Sequence, residues 1–441
     1  MSFKRLIFSI KLFISNINRY KFIKRLTYVD LSFDEISQLN FQKRISIIQF
    51  AYDNVEFYKK FYDENNFHPK DLKTESDWLK VPIINKNHIK NNFETFYDKK
   101  VSKKYFFTSS TGGSTGKPLS VFFDKRFPFQ FLFLRVLNWW GVNPWDNQAY
   151  IFRSVNKGLS KFINILKWWP TKRFLLDCSS VSNEEYWSFY KKIKKNRPTF
   201  IQGYVGGLFE FAEFLKKNDL SISGLKAVWV TSSPLSEPTR EFIQNVLNAP
   251  VYDQYGCGEI FWLAAECKKQ CGLHFFYDIR HIEFLNDDYL PSDNSEFGNV
   301  VLTDLENKIF PIIRYENNDK GRWLNSTCSC GINLPLIDKI KGRVTDSIRT
   351  PSGLSVDGVY LTTIFDDYPY ILDGFQIIQN PDYSININII LAAGIDSNDY
   401  RFLEVENIIQ KKVRNEVPVF IKFVDTLISD RGKQKFIISN L

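Results

Sequence analysis

Acidic residues are missing from the start of the chain. Between Met1 and Val29 stand seven basic residues, Lys4, Arg5, Lys11, Arg19, Lys21, Lys24 and Arg25, and no Asp or Glu. They carry most of the formal net charge of +9, so the remainder of the 441 residues is close to neutral. The basic face that nucleic acid requires of a fold is therefore lacking, as are zinc-finger, helix-turn-helix and single-strand-binding signatures, and no nucleic-acid partner is expected. Internal repeats and a low-complexity linker are absent too. The apolar run of the N-terminal arm is broken by Lys11 and is too short to span a bilayer, and no small-residue cleavage site follows it. These absences argue against a transmembrane helix and a signal peptide, and the expectation is a cytoplasmic protein.

What is present points to burial. Hydrophobic residues make up 44% and aromatics 16% of the chain, enough for sizeable cores, and the length calls for two or more domains. In the arm, Phe3, Leu6, Ile7, Ile10, Phe13, Ile14, Ile17 and Phe22 recur near helical spacing among the bases, which predicts a basic amphipathic helix within residues 1–29. Two readings stand: peripheral contact with an anionic membrane at its inner face, or a helix packed on the body with its lysines in solvent.

Of six cysteines, Cys178 sits in an apolar setting and Cys257 within a motif taken up below. The others form two close pairs, Cys267/Cys271 and Cys328/Cys330, and His274 follows Cys271 by three residues. In a reducing compartment such pairs, separated by a long loop, suit a structural zinc ion better than disulfides. Four of Cys267, Cys271, His274, Cys328 and Cys330 are expected to hold it, with Cys271 and His274 competing for one position.

From Ala149 onward, short apolar runs at Ala149–Phe152, Thr199–Ile201, Ala227–Val230 and Val251–Tyr252 alternate with helical patterns at Gly207–Lys216 and Glu237–Leu247. This is βα repetition around a largely parallel, buried sheet. Between Ile282 and Arg314 the strands shorten, as in antiparallel or barrel-like structure. Beyond Gly342-Arg343 the chain reads as a compact α+β unit, with strands near Tyr383–Leu391, Phe420–Val424 and Phe436–Ile438 and a helix near Phe402–Lys412.

The first chemical motif is Thr108-Ser109-Ser110-Thr111-Gly112-Gly113-Ser114-Thr115-Gly116-Lys117-Pro118. Glycines let backbone N–H groups turn toward an anion, hydroxyls add donors and Lys117 adds charge, so the segment predicts a phosphate cradle between two strands. It is not a Walker loop. Thr111 stands where that motif needs its first glycine, and Pro118 stands where it needs Ser or Thr and a backbone N–H.

The loop resembles the phosphate-binding signature of the acyl-adenylate-forming superfamily, and four further segments follow in that family's order. They are Tyr255-Gly256-Cys257-Gly258-Glu259, Pro311-Ile312-Ile313-Arg314-Tyr315 with Asn318-Asp319, Gly342-Arg343-Val344-Thr345-Asp346, and Gly432-Lys433. Within the superfamily, the wording of the second segment and the paired cysteines most resemble the phenylacetate–CoA ligase-like branch, including the capsular polysaccharide CapK-type proteins. In that branch His274 can replace Cys271 as a zinc ligand.

The resemblance implies an α/β fold with a large N-terminal adenylation domain of mixed β-sheets and surrounding helices, and a small α+β C-terminal domain. The boundaries it gives are residues 1–29 for the arm, 30–342 for the adenylation domain and 343–441 for a mobile C-terminal domain pivoting at Asp346. It implies an AMP-forming acid ligase that uses ATP to activate a carboxylic acid as its acyl-AMP and transfers the acyl group to coenzyme A. The alternative is direct transfer to a sugar hydroxyl or amine in polysaccharide biosynthesis.

Roles follow one residue at a time. Ser109, Ser110, Thr111, Gly112, Gly113, Ser114, Thr115, Gly116 and Lys117 would hold phosphates, and Glu259 would hold Mg2+. Tyr255 would lie against adenine, with Ser233, Gly256 and Cys257 also counted in the nucleotide site. Asp319 would bind both ribose hydroxyls, Arg343 the ribose or α-phosphate, and Lys433 the charge developing in the adenylation step. Arg314 would act from behind the site. Asn318 replaces the family's usual glycine, and asparagine tolerates the left-handed backbone that a glycine there implies.

Overall fold

The computed structural model describes residues 3–15, 31–111, 119–152, 159–178, 181–231, 235, 237–340, 347–356, 361, 364–365, 368, 371–392, 394–427, 429–430, 433–434 and 437–441. Helix α1 (Phe3–Ser15) is followed by α2 (Phe33–Asn54) and α3 (Glu56–Glu64). Helix α2 starts in a capping box, Ser32 accepting from the Glu35 N–H while the Glu35 carboxylate accepts from the Ser32 N–H. Helix α4 (Lys86–Asn91) precedes a hairpin of β1 (Phe106–Thr111) and β2 (Leu119–Asp124), paired antiparallel from Phe106–Asp124 to Thr111–Leu119. The glycine-rich segment is thus the connection of a two-stranded hairpin.

Helix α5 (Gln130–Trp139) leads into an alternation of strands and helices: β3 (Gln148–Phe152), α6 (Leu159–Trp168), β4 (Arg173–Asp177), α7 (Asn183–Asn196), β5 (Phe200–Tyr204), α8 (Val205–Lys217), β6 (Ala227–Thr231), α9 (Glu237–Leu247) and β7 (Val251–Tyr255). Strands β8 (Ala264–Glu266), β9 (Leu273–Phe275) and, much later, β13 (Leu336–Ile337) complete an eight-stranded sheet in the order β13-β9-β8-β7-β6-β5-β3-β4. The five strands from β4 to β7 are parallel, and β8, β9 and β13 add antiparallel.

The period of two along each parallel strand sorts the apolar side chains onto two faces. Ala149, Ile151, Ile201, Val228, Val230 and Val251 face α7, α8 and α9, meeting Phe189, Leu208, Phe211, Leu215, Ile243 and Leu247. Tyr150, Phe200, Trp229 and Tyr252 face the other way, onto Phe131, Leu132, Val136 and Trp140 at α5. Every one of these residues is buried, so the sheet is covered on both faces, as a parallel sheet requires.

A second, three-stranded antiparallel sheet follows: β10 (Arg280–Leu285), β11 (Gly298–Asp304) and β12 (Tyr315–Gly321). With α2, α3, the β1–β2 hairpin and the antiparallel end of the larger sheet it encloses a further core, in which Phe96, Phe123, Ile282, Leu302 and Tyr315 are buried beside Ala264, Leu273, Phe275 and Ile337. Two buried ion pairs fix this sheet. Arg280 meets Asp304 at 2.6 Å, and Arg314 makes a two-bond pair with Glu283 at 2.7 and 3.0 Å while also donating to the carbonyls of Leu79 and Val81. The motif arginine therefore ties β10 to the N-terminal part of the chain.

A short hairpin of β14 (Ile348–Arg349) and β15 (Ser355–Val356) opens the C-terminal unit. It continues as β16 (Leu372–Gln379), β17 (Ile385–Leu391), α10 (Tyr400–Lys412), β18 (Val419–Phe423), β19 (Ser429–Asp430), β20 (Lys433–Gln434) and β21 (Ile437–Ser439). Its four-stranded sheet has the order β18-β17-β16-β21, and α10 packs Phe402, Val405 and Ile409 over Phe375, Ile377, Ile387 and Ile389. Ion pairs from Lys412 to Glu210 at 3.1 Å and from Arg414 to Glu213 at 2.6 Å join this unit to α8.

Among the described residues, no helix is long and apolar enough to cross a membrane. Helix α1 forms as the periodicity predicts, and it lies on the body.

Candidate functional site: a nucleotide-type crevice and a cysteine–histidine cluster

Strands β3, β5, β6 and β7 end side by side, and a crevice outside the carboxyl ends of parallel strands is where open α/β sheets take ligands. Tyr255 is the last residue of β7. Its hydroxyl donates to Asp319 Oδ2 at 2.8 Å, across to β12 of the other sheet. Asn317 completes the arrangement, its Nδ2 donating to the Tyr255 hydroxyl at 2.8 Å and to Asp319 Oδ2 at 2.7 Å. Burial, reinforced by the neighbouring Asp319 charge, holds the Tyr255 phenol well above its ordinary range, so it remains a proton donor at neutral pH.

A bulge in β12 brings Asp319 to this position. Asn299 pairs with Lys320 but Val301 with Glu316, so the segment at 317–319 bows out against one residue of β11. Asn318 sits in the bow with φ +66°, the left-handed conformation expected of the residue standing in for glycine.

Glu259, four residues beyond Tyr255, is buried, and its Oε1 accepts from the Tyr315 hydroxyl at 3.0 Å. Gly256 is exposed between them, and a Cβ there would lie 2.8 Å from Gln254 Nε2 and 3.3 Å from the Trp262 N–H nitrogen. Cys257 points its thiol at the Ile260 carbonyl at 3.6 Å, and burial, aided by the Glu259 charge, pushes it up, so it is a packing thiol. Tyr204 and Phe152, at the ends of β5 and β3, pack edge to face with centroids 4.9 Å apart. Trp229 lies one layer lower against Trp262 at 5.0 Å.

Ser109 lies in β1 opposite Val121, and its neighbours Ser110 and Thr111 continue that strand. Gly112, Gly113, Ser114, Thr115, Gly116 and Lys117 lie outside the described residues, as do Ser233, Arg343 and the pivot Asp346. For Ser110, Thr111 and Lys433 only the strand backbone is described, Lys433 pairing with Asp430 in the β19–β20 hairpin.

A second cluster forms on the far side of β7. Cys267 directly follows β8, His274 lies in β9, and Cys328 and Cys330 lie in the loop between β12 and β13. Their four ligand atoms all lie within 4.8 Å of one another, with Cys267 Sγ 3.6 Å from Cys328 Sγ and Cys330 Sγ 3.2 Å from His274 Nε2. Tetrahedral zinc with ordinary bond lengths sets these edges at about 3.5–3.8 Å. His274 Nδ1 lies 3.0 Å from the Leu334 carbonyl, which as acceptor leaves Nε2 its lone pair, and burial keeps the ring neutral. Burial pushes the Cys267 and Cys330 thiols up, the ordinary state of such groups without a cation. Glu266, next to Cys267, is gripped by Arg240 at 2.8 and 2.9 Å. Cys271 stands apart: it is exposed, and its thiol meets the Lys269 carbonyl at 3.5 Å.

Sequence reasoning missed Asn317 and the hydroxyl of Tyr315. The amide two residues before Asp319 was the available signal, since a carboxylate leaving water needs donors nearby.

Residues 348–440 match the family described as the CapK C-terminal domain. The chain is 22% identical to protein CapK of Staphylococcus aureus over 414 residues, covering 88% of this chain and 86% of that protein. It is 26% identical over 327 residues to the phenylacetate–coenzyme A ligase of Escherichia coli K12, covering 72% and 73%. Its fold matches a 2-hydroxyisobutyryl-CoA ligase solved with 2-HIB-AMP and CoA in the thioesterification state, with a TM-score of 0.66 and 16% identity, covering 95% of this chain and 92% of that one. The fold is that of the adenylate-forming acyl-CoA ligases. Protein CapK and phenylacetate–coenzyme A ligases are among the proteins its sequence is similar to.

The bow at Asn318 yields a test. Asn318→Gly should leave stability unchanged, whereas Asn318→Val, β-branched at an exposed site with positive φ, should cost about 1–2 kcal/mol in urea unfolding. Equal stability of the two variants would refute a left-handed residue there.

Proposed function

We propose that this chain activates a carboxylic acid as its acyl-AMP, releasing pyrophosphate, and then transfers the acyl group to the thiol of coenzyme A. The observation that carries the reading is the Tyr255–Asn317–Asp319 network at the carboxyl ends of the parallel strands, with buried Glu259 four residues beyond Tyr255. Asp319 would accept from the ribose hydroxyls, held in place by Tyr255 and Asn317, and the Tyr255 ring would lie against adenine. Glu259, oriented by Tyr315, would hold Mg2+, which when bound neutralises charge on the phosphates. The end of β1 with the hairpin connection, Ser109 to Lys117, would cradle those phosphates, while Lys433 and Arg343 would meet the carboxylate and the α-phosphate.

In the first step a carboxylate oxygen attacks the α-phosphorus. The new O–P bond replaces the bond to the β-phosphate, and pyrophosphate leaves with its electrons. In the second, thiolate sulfur attacks the acyl carbon, the carbon–oxygen bond to AMP breaks, and the thiol proton passes to solvent. Alternation between these steps would move the unit beyond residue 342. Of its ion pairs to α8, Arg414–Glu213 is partly exposed and of the kind worth under about 1 kcal/mol, whereas the Lys412–Glu210 pair, with its lysine buried, would have to be exposed to solvent in the move.

A second reading keeps adenylation and gives the acyl group to a sugar hydroxyl or amine. The match of residues 348–440 to the CapK C-terminal domain favours it. Cys267, His274, Cys328 and Cys330 are proposed to hold one structural zinc ion.

Two measurements test these assignments. Acid-dependent ATP–pyrophosphate exchange should appear with one member of a panel of aryl, fatty, hydroxy and amino acids and fall about 100-fold or more in Lys433→Ala. Exchange unaffected by that substitution would overturn the role of Lys433, and AMP release independent of coenzyme A would favour the sugar acceptor. Metal analysis should find one zinc per native chain, retained in Cys271→Ser and lost in Cys330→Ser. Loss in Cys271→Ser instead would move the ligand set.

A further inference from the structure

Helix α1 meets the body with its polarity inverted. Lys4 donates to Asn147 Oδ1 at 2.7 Å, Phe8 packs on Trp145 with ring centroids 6.0 Å apart, and Leu12 joins the core beneath α5, so positions 4, 8 and 12 face inward. Lys11 donates to the carbonyls of Leu166, Lys167 and Trp169 at the C-terminal end of α6, where a helix leaves its last acceptors without internal donors.

At 3.6 residues per turn, Phe3, Leu6, Ile10 and Ile14 then stand on the opposite face. They are exposed, Phe3 by 62% and Ile14 by 70%. Helix α6 adjoins them with Ile163 and Leu166 exposed by 56% and 57%, and Trp169 just past its end, exposed by 53%, stacks edge to face on Phe3 at 6.0 Å. An ordinary surface helix buries its apolar stripe and leaves its lysines in water. Here two lysines grip the body, and apolar side chains from two separate elements face outward together.

The charge on these two helices has one sign. Helices α1 and α6 contain Lys4, Arg5, Lys11, Lys161 and Lys167 and no Asp or Glu, and the flanking acids in the sequence, Asp30, Asp146 and Asp177, lie outside both. An exposed apolar stripe on helices whose only charges are basic is complementary to an anionic lipid surface, with side chains entering the acyl boundary and bases meeting phosphates. We propose that α1 and α6 together form a lipid-docking surface seated on an anionic bilayer. This does not rest on the adenylation reading, because binding is scored without turnover.

The test is co-sedimentation of the full chain with vesicles of phosphatidylcholine alone or mixed with phosphatidylglycerol. The native protein should sediment only with the mixed vesicles and be released by high salt. Ile163→Glu with Leu166→Glu, which leave the sequence of the basic arm intact, should lower partitioning about tenfold or more, as should Ile14→Glu, while melting temperatures stay at the native value. Native partitioning by the α6 variant would leave the basic arm as the anchor and overturn the two-helix surface. Absence of vesicle binding, with a native dimer that Ile14→Glu splits in ultracentrifugation, would assign the face to a second copy and also overturn it.

Discussion

A carboxylate drawn away from water beside a phenol is the constraint around which the crevice is arranged. Asp319 needs donors, and it receives them from Tyr255 on the eight-stranded sheet and Asn317 on its own strand. That bond spans two sheets that share a core, in which Ala264, Leu273, Phe275 and Ile337 of the larger meet Ile282, Val300 and Leu302 of the smaller, and this shared packing holds their relative placement to within the tolerance of a hydrogen bond. Behind Asp319, the buried pairs Arg280–Asp304 and Arg314–Glu283 hold β10 to its neighbours and to the chain near Val81. Removing one partner of such a pair strands a buried charge at a cost of about 3–5 kcal/mol. Arg314 therefore reads as a structural residue that happens to stand inside a chemical motif.

Much of the parallel sheet was legible because its strands are continuous apolar runs flanked by helices of clear period. The pattern at Glu237–Leu247 is the observed helix, and the segments at Ala149, Ala227 and Val251 became β3, β6 and β7. Strand β4 was not foreseen. It lies at the sheet edge with Leu175 partly exposed, so its sequence, Arg173-Phe174-Leu175-Leu176-Asp177, shows no clean alternation. Strands β8, β9 and β13 span only two or three residues, too few for any period to register. Helix α2 hides its inward face because Asn40 and Arg44 occupy buried positions on it, satisfied by the carbonyls of Tyr277 and Arg280 and by Glu75.

The site was legible as a list of motifs and not as a geometry. Tyr255 and Asp319 are 64 positions apart, and nothing local says that they touch. The competition between Cys271 and His274 could not be resolved from spacing either. A turn through Gln270 and Gly272, both at positive φ, leaves Cys271 facing solvent while the following strand carries His274 inward. A Cβ at Gly272 would lie 2.5 Å from Leu324 Cδ1 and 3.1 Å from the Ile337 carbonyl, so this turn also lets β9 pack closely beside β13. The N-terminal arm shows the same limit: its period was readable, but which face meets the body was decided by partners more than a hundred residues away, Asn147 and the end of α6.

The account turns on a nucleoside being held at Asp319, and one binding comparison addresses that directly. Calorimetric titration of the native chain and Asp319→Ala with AMP and with 2′,3′-dideoxy-AMP forms a double cycle. The account predicts that the native chain discriminates between the two ligands by about tenfold or more, the worth of charge-assisted bonds to the ribose hydroxyls, and that Asp319→Ala does not discriminate. Equal discrimination by both proteins would contradict it and would put the ribose elsewhere.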